Sequence, residues 1–366
     1  MLFKGTKNLS AQEISYTIES MGGTLEGFTS RDFTGIYARV ASEHLPKVIE
    51  LLCEITSQPE FGEEELEKEK RVVKEEIKSS VENPQDLVVD LLFETLYHPH
   101  PLGFPITGKE STVDNITKNE ILSYYKSHYT LSNIAVVGVG GLERGPLMEG
   151  IEGRLSLKKG ENIQREKVSL SDRRIKAVKK REISQVYMAI ALPTFGFRDN
   201  RRYTLSILST ALAGGMSSRL FIRLREDEGL VYSVSSFTEL FEDTGFLCIC
   251  FITDKKNLDR VMGIILREME DIKKRGFKRR EFLTAKNLTI GSMLLGLENP
   301  TSRMLRMAKH IFSYNRVIPI EKSLKRYQEV DEDKVMELIE EVFPFSHLYL
   351  SAVGPVEDKE LERFLR

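Results

Sequence analysis

Residues 117–138, TKNEILSYYKSHYTLSNIAVVG, and residues 333–354, DKVMELIEEVFPFSHLYLSAVG, carry one pattern twice: a polar opening, a helix-spaced run, and an apolar strand-like run closed by glycine. Thr117 with Glu120 three residues on is a capping-box signature, and Asp333 stands at the corresponding place in the second copy. Thr117 to Asp333 and Gly138 to Gly354 are the same displacement, 216 residues. A second correspondence lies upstream: Gly23, a strand, Asp32-Phe33-Thr34-Gly35 and a strand match Gly229, a strand, Asp243-Thr244-Gly245 and a strand, with a longer intervening segment. A displacement of about 210 residues excludes a short-period solenoid and points to a duplicated α+β domain. Each copy is expected to be a mostly antiparallel sheet packed with helices.

Outward from these copies, Ser10 and Glu13 predict a capped helix over 11–21, followed after Gly22-Gly23 by strands TLEGFTS and DFTGIYARV. Helices are expected over 43–54, over 63–78, and from Asn83-Pro84 to Tyr97, where proline sits at the first helical position. HPHPLGFPITG, residues 98–108, reads as an ordered loop, and SNIAVVGVG as a strand. From 141 to about 180 the periodicity dissolves into polar sequence, which reads as the connection between an N-terminal domain, 1–165, and a homologous C-terminal domain, 166–366. Beyond it a strand (183–192) and a helix (201–212) precede the segment equivalent to residues 11–40. The first half has no counterpart of that pair and looks short by about 50 residues.

The chain has 366 residues, 41% of them hydrophobic and 30% charged, enough apolar material for two cores. With 53 Lys+Arg against 55 Asp+Glu, whole-chain charge gives no pull toward nucleic acid or an anionic membrane. No run approaches 18 apolar residues, and no signal peptide is recognisable. Three cysteines cannot make a disulfide framework; Cys248 and Cys250 fall inside GFLCICFI and read, with Cys53, as buried reduced thiols, which suits a cytoplasmic location.

The helix FGEEELEKEKRVVKEEIKSS holds the most informative carboxylates. At 100 degrees per residue, Val73 and Ile77 fall within about 20 degrees of Leu66 and form its buried stripe. Glu69 and Glu76 border that stripe, with Glu65 nearby. Such acids need a cation, donors or a metal; ordinary salt-bridged helix surface and metal or general-acid use both remain open. The six histidines (His44, His98, His100, His128, His310 and His347) form neither H-E-x-x-H nor H-x-x-E-H. In GGMSSRLFIRLREDEGLVYSV, Arg225 and Tyr232 lie at a helix end and a strand start, where they can clamp a carbonyl or carboxylate or serve as a salt bridge and a half-buried tyrosine. No G-x-x-x-x-G-K-[ST] loop or G-x-S-x-G elbow is present.

Together MLFKGTKNLSAQEI, FTSRDFTGIYARV, PEFGEEELEKEKRVVKEEIK, HPLGFPITG and GGMSSRLFIRLREDEGLVYSV resemble the pitrilysin/insulinase family of zinc metallopeptidases, especially its small mitochondrial-processing-peptidase-like branch. The resemblance covers nearly the whole chain. It implies duplicated domains that pair, as homo- or heterodimers, into a clam-like chamber for flexible peptides. It also implies a Zn2+ held by two histidines of H-x-x-E-H and by a later glutamate, which Glu76 matches, while Glu69 matches a helper acid one double turn earlier. Arg225 and Tyr232 match a pair that binds the substrate backbone, and Phe28 and Thr29 lie on a strand that borders substrate. Here that strand reads Glu26-Gly27 where the family usually has Asn-Ala.

In the family, H-x-x-E-H directly precedes the block that begins MLFKGT here. Both zinc histidines and the general-base glutamate are absent from this chain, and one glutamate cannot hold catalytic zinc. The expectation is a zinc-endopeptidase-like protein, inactive as the chain stands and not stably binding Zn2+ alone. The alternative is a non-catalytic partner that completes a peptide-binding chamber with an active homologue, or a scaffold subunit of a larger complex. Neither reading calls for nucleic acid or a membrane.

Overall fold

The computed structural model describes residues 1–161, 163, 165–343 and 345–365. In chain order the elements are α1 (Ala11–Glu19), β1 (Thr24–Thr29), β2 (Thr34–Arg39), α2 (Leu45–Ser57), α3 (Glu63–Glu82), α4 (Pro84–Tyr97), α5 (Glu110–Asn115), α6 (Lys118–His128) and α7 (Arg144–Ile151). There follow β3 (Ile175–Lys179), β4 (Gln185–Thr194), α8 (Arg202–Ala213), α9 (Arg219–Phe221), β5 (Val231–Leu240), β6 (Gly245–Asp254), α10 (Leu258–Arg275), α11 (Arg279–Gly296), α12 (Pro300–Tyr314), α13 (Ile320–Gln328), α14 (Glu332–Val342), β7 (Tyr349–Gly354) and α15 (Asp358–Leu361). They form two compact units. One comprises Met1–Ser79, Ile106–Glu166 and Pro300–Ala308; the other Ser80–Pro105, Lys167–Asn299 and Lys309–Arg366.

In the first unit α1 starts at a reciprocal cap: Ser10 Oγ accepts from Glu13 N at 3.3 Å, and the Glu13 carboxylate accepts from Ser10 N at 2.7 Å. Ile14 and Ile18, four residues apart on one face, pack with Val48, Leu51 and Ile55 of α2. The antiparallel hairpin β1–β2, in register from Thr24 opposite Arg39 to Thr29 opposite Thr34, turns Leu25, Ile36 and Ala38 toward this core. Gly27, two residues on, lies on the same face, and the Phe3 ring occupies the space a side chain there would need; a Cβ would lie 2.8 Å from Phe3 Cε2.

The second unit is built on a five-stranded sheet of order β3-β7-β4-β6-β5, antiparallel throughout except for β3 beside β7. Central β4 is buried on both faces. Val186, Met188, Ile190 and Leu192 face a core shared with α8, α10 and α14, while Ala189 and Ala191 face α4. The small alanines leave room for rings: Phe93 of α4 stands edge-on to Phe246 of β6 at 5.2 Å. Ser351 of β7 donates its hydroxyl to Val88 O at 2.7 Å, fixing α4 against the sheet. Truncating Leu92 or Leu96, both fully buried, would cost about 2–5 kcal/mol.

Several expectations are corrected. Residues 134–139 form no ladder, because a strand requires a partner: in the C-terminal copy β7 lies between β3 and β4, whereas among the described residues of the first unit the only sheet is the β1–β2 pair. The second-copy helix α14 is capped by Asp331, which accepts from Lys334 N at 2.9 Å, and not by Asp333. The aperiodic stretch after 141 contains both α7 and β3. Among the described residues no helix is long and apolar enough to cross a membrane. All three cysteines are free; Cys53 and Cys248 are buried, and Cys250 is half-buried.

Candidate functional site

Within the first unit, α3 presents the two glutamates differently. Leu66 and Ile77 are buried, whereas Val73 is only half-buried. Glu69, with its side chain 19% exposed, is held by Lys4 Nζ at 2.7 Å. Glu76, two turns further on, is exposed and has no ion pair or hydrogen bond among the described residues, so it does not border the core as the helical wheel suggested. Glu65 pairs locally with Lys68 at 2.7 Å. On the face of the hairpin opposite Gly27, Phe28 stands edge-on to Phe33 at 5.7 Å and lies 6.2 Å from the tilted ring of Tyr37. The Tyr37 hydroxyl donates to Glu26 across the strand pair, and this bond to a carboxylate raises the phenol pKa. Thr29, opposite Thr34 at the hairpin end, is exposed.

Within the second unit, two backbone irregularities position Arg225 and Tyr232. The helix that starts as α9 widens into a π-turn over Ile222–Asp227, which carries Arg225. In β5, Val231 is opposite Thr253 and Ser233 is opposite Ile252, so Tyr232 is the extra residue of a β-bulge. Tyr232 is 54% exposed. Arg225 Nη1 donates to Val231 O at 3.4 Å, which brings the guanidinium beside the bulge. Both side chains reach solvent with unspent donors, an arrangement suited to holding a peptide carbonyl or carboxylate.

The turn is held from behind. Arg219 Nε and Nη2 donate to the two Glu281 carboxylate oxygens at 2.6 and 2.7 Å, and Nη1 reaches Glu268 and Asp271. Burial alone would raise the Glu281 pKa, but hydrogen bonds from Arg219 and from Lys278 N outweigh it and hold the carboxyl below its ordinary range. Sequence reading missed Arg219 because its three acids lie 49 to 62 residues away.

Two family models match this chain: Insulinase (Peptidase family M16) over residues 1–110 and Peptidase M16 inactive domain over residues 115–289. The chain belongs to peptidase family M16. An uncharacterized zinc protease of Bacillus subtilis is 32% identical over 345 residues, covering 94% of this chain and 84% of that protein. The beta subunit of the mitochondrial-processing peptidase of Bos taurus is 27% identical, covering 98% of this chain and 75% of that protein. A peptidase M16 inactive domain from Pseudomonas fluorescens superposes with TM-score 0.88 at 20% identity, covering 98% of this chain and 86% of the other. A protease from Helicobacter pylori gives TM-score 0.88 at 21% identity, covering 97% and 87%. These structures share the M16 fold, and the sequence matches make the chain zinc-metallopeptidase-like.

A catalytic zinc takes three protein ligands and keeps one open position. Among the described residues no group of three or more His, Cys, Asp or Glu could hold a metal ion. Glu76 stands alone and Glu69 is occupied by Lys4, so the described donors of this M16 chain do not fit the zinc of its family.

Proposed function

We propose that this chain is the peptide-handling body of an M16 zinc endopeptidase, two homologous halves over 1–165 and 166–366. In this reading it binds flexible peptides but does not cleave them unless an H-x-x-E-H segment is supplied. Arg225 and Tyr232 receive the peptide backbone, Phe28 and Thr29 border it, Glu76 is the glutamate ligand of a zinc the chain does not hold alone, and Glu69 is its helper acid. The observation that carries this reading is the pairing of a π-turn with a β-bulge, which presents Arg225 and Tyr232 together and exposed. Three free thiols, two of them buried, suit a cytoplasmic protein.

The test uses the purified 366-residue chain, zinc and a flexible fluorogenic peptide. Saturable binding without chelator-sensitive turnover is expected; zinc-dependent cleavage, or no binding at all, would sink the reading. A second reading, a non-catalytic subunit in a homo- or heterodimeric chamber, is favoured by the intact Arg225–Tyr232 arrangement in a chain without a three-ligand metal group among its described residues. One relative is itself named a subunit. Co-purification followed by mass measurement decides it: a persistent monomer with no associated H-x-x-E-H chain counts against the subunit.

A further inference from the structure

Away from Arg225 and Tyr232, the second unit contains a cleft of about 390 Å³ between the start of α8 and the segment joining α12 to α13. Among the described residues four cationic side chains line it, Arg198, Arg316, Lys322 and Arg326, and no carboxylate does. Three neighbouring carboxylates are engaged, Asp199 by Arg201 at 2.7 Å, Glu242 by Arg198 at 2.8 Å and Glu329 by Arg326 at 3.6 Å, while Glu321, beside Lys322, does not line the cleft. Arg316 and Lys322 have no ion pair among the described residues.

The wall is aromatic and polarised. Arg202, half-buried, stacks its guanidinium over the rings of Phe197 at 4.2 Å and Tyr203 at 4.7 Å. Its Nη2 donates to the Tyr203 hydroxyl at 2.8 Å, leaving that hydroxyl's own proton to donate elsewhere. Tyr203 lines the cleft, and so does the ring of Tyr314, whose hydroxyl is spent on Phe197 O at 2.8 Å. The first turn of α13 opens at the same wall with Pro319 as N-cap and no side-chain cap; Glu321 in that turn offsets its positive dipole end, so the cationic side chains carry the site. Converging cations repel one another unless an anion lies between them, and the volume suits a small molecule.

We propose that this cleft binds a small oxyanion bearing two or more negative charges, gripped by Arg316 and Lys322 with the Tyr203 hydroxyl as a neutral donor. The site is independent of the peptide-handling reading and stands whether or not that reading does. Isothermal titration calorimetry of the full chain near physiological salt, with inorganic pyrophosphate and separately with citrate, is the test, and the tighter probe tells phosphate from carboxylate. At least one is expected to bind saturably. R316Q/K322Q should weaken it at least about tenfold and Y203F less, while the control K274Q/R280Q, which removes the same charge elsewhere on the second unit, leaves it unchanged. Circular dichroism confirms that each variant is folded. Failure of both probes to bind, unaltered binding by R316Q/K322Q, or equal weakening by the control overturns the proposal.

Discussion

Arg225 and Tyr232 are joined through one backbone atom: Arg225 Nη1 reaches the carbonyl of Val231, the residue before Tyr232, at 3.4 Å. Each sits on an irregularity, a π-turn and a β-bulge, that a regular helix or strand would not need. Such irregularities re-aim side chains and recur next to functional sites. Neither side chain contributes much burial, so what they do is separable from what holds the fold.

Arg225→Ala and Tyr232→Phe should each weaken binding of a flexible labelled peptide, the arginine change by about ten- to a hundredfold, since a charge-assisted contact contributes about 1.5–3 kcal/mol. Thermal stability should stay within about 0.5 kcal/mol of the parent chain, as for surface substitutions generally. Fluorescence anisotropy and thermal unfolding on the same samples check both halves. Unchanged peptide affinity in both variants would remove the pair from the binding surface.

The Phe3 ring and Gly27 are complementary, with a Cβ at 27 only 2.8 Å from Phe3 Cε2. Gly27→Ala should therefore destabilise the first unit by about 1–3 kcal/mol through overpacking. Phe3→Leu in the same chain should relieve part of that cost, giving a coupling energy above about 0.5 kcal/mol in a double-mutant cycle of denaturant unfolding. Strict additivity would mean that the ring moves aside freely.

What the sequence revealed was local. Ser10 with Glu13, Asn83 before Pro84, and Thr117 with Glu120 are complete within four residues, and all three caps form where their spacing places them. What it hid is relational. Residues 134–139 have strand composition but no ladder partner, whereas β3, in a charged stretch, is a strand because β7 runs beside it. The two ends of α4 are legible, but its place on the sheet of the second unit depends on Ala189 and Ala191, a hundred residues later. At the site, the wheel set Glu69 and Glu76 side by side on the border of a buried stripe; Lys4 distinguishes them by pairing with one. Nothing in GLVYSV marks Tyr232 as the bulged residue, since the bulge is defined by the register of β6.

Cys248 is fully buried, and burial, followed by its contact with Cys250, pushes its thiol well above the ordinary range. Cys53 is also raised by burial. A thiol-specific disulfide reagent at neutral pH should leave both unmodified in the native protein and react with all three cysteines in denaturant, because the thiolate is the reactive form. Rapid labelling of Cys248 under native conditions, read by peptide mass mapping, would show that β6 opens easily.

The Arg219 cluster should dominate the acid response of the second unit. Arg219 and Glu281 have side chains only 14% and 19% exposed, and removing one member of such a pair leaves an uncompensated charge, so Arg219→Met should cost about 3–5 kcal/mol. The pH dependence has a definite sign. The Glu281 pKa in the folded state lies below its ordinary 4.5, so the stabilisation it provides is complete above that value and is lost as pH falls through the lower, folded value. In the Met variant the arginine that outweighed burial is gone, burial raises the Glu281 pKa, and protonation relieves the buried charge. The stability gap between parent and variant should therefore be widest near neutrality, begin to shrink as pH falls through the variant's raised pKa, above 4.5, and go on shrinking until the parent's lowered pKa is passed. Denaturant unfolding of both proteins across that range checks it; a gap that stays constant or widens in acid would show that Glu281 is not held charged by Arg219.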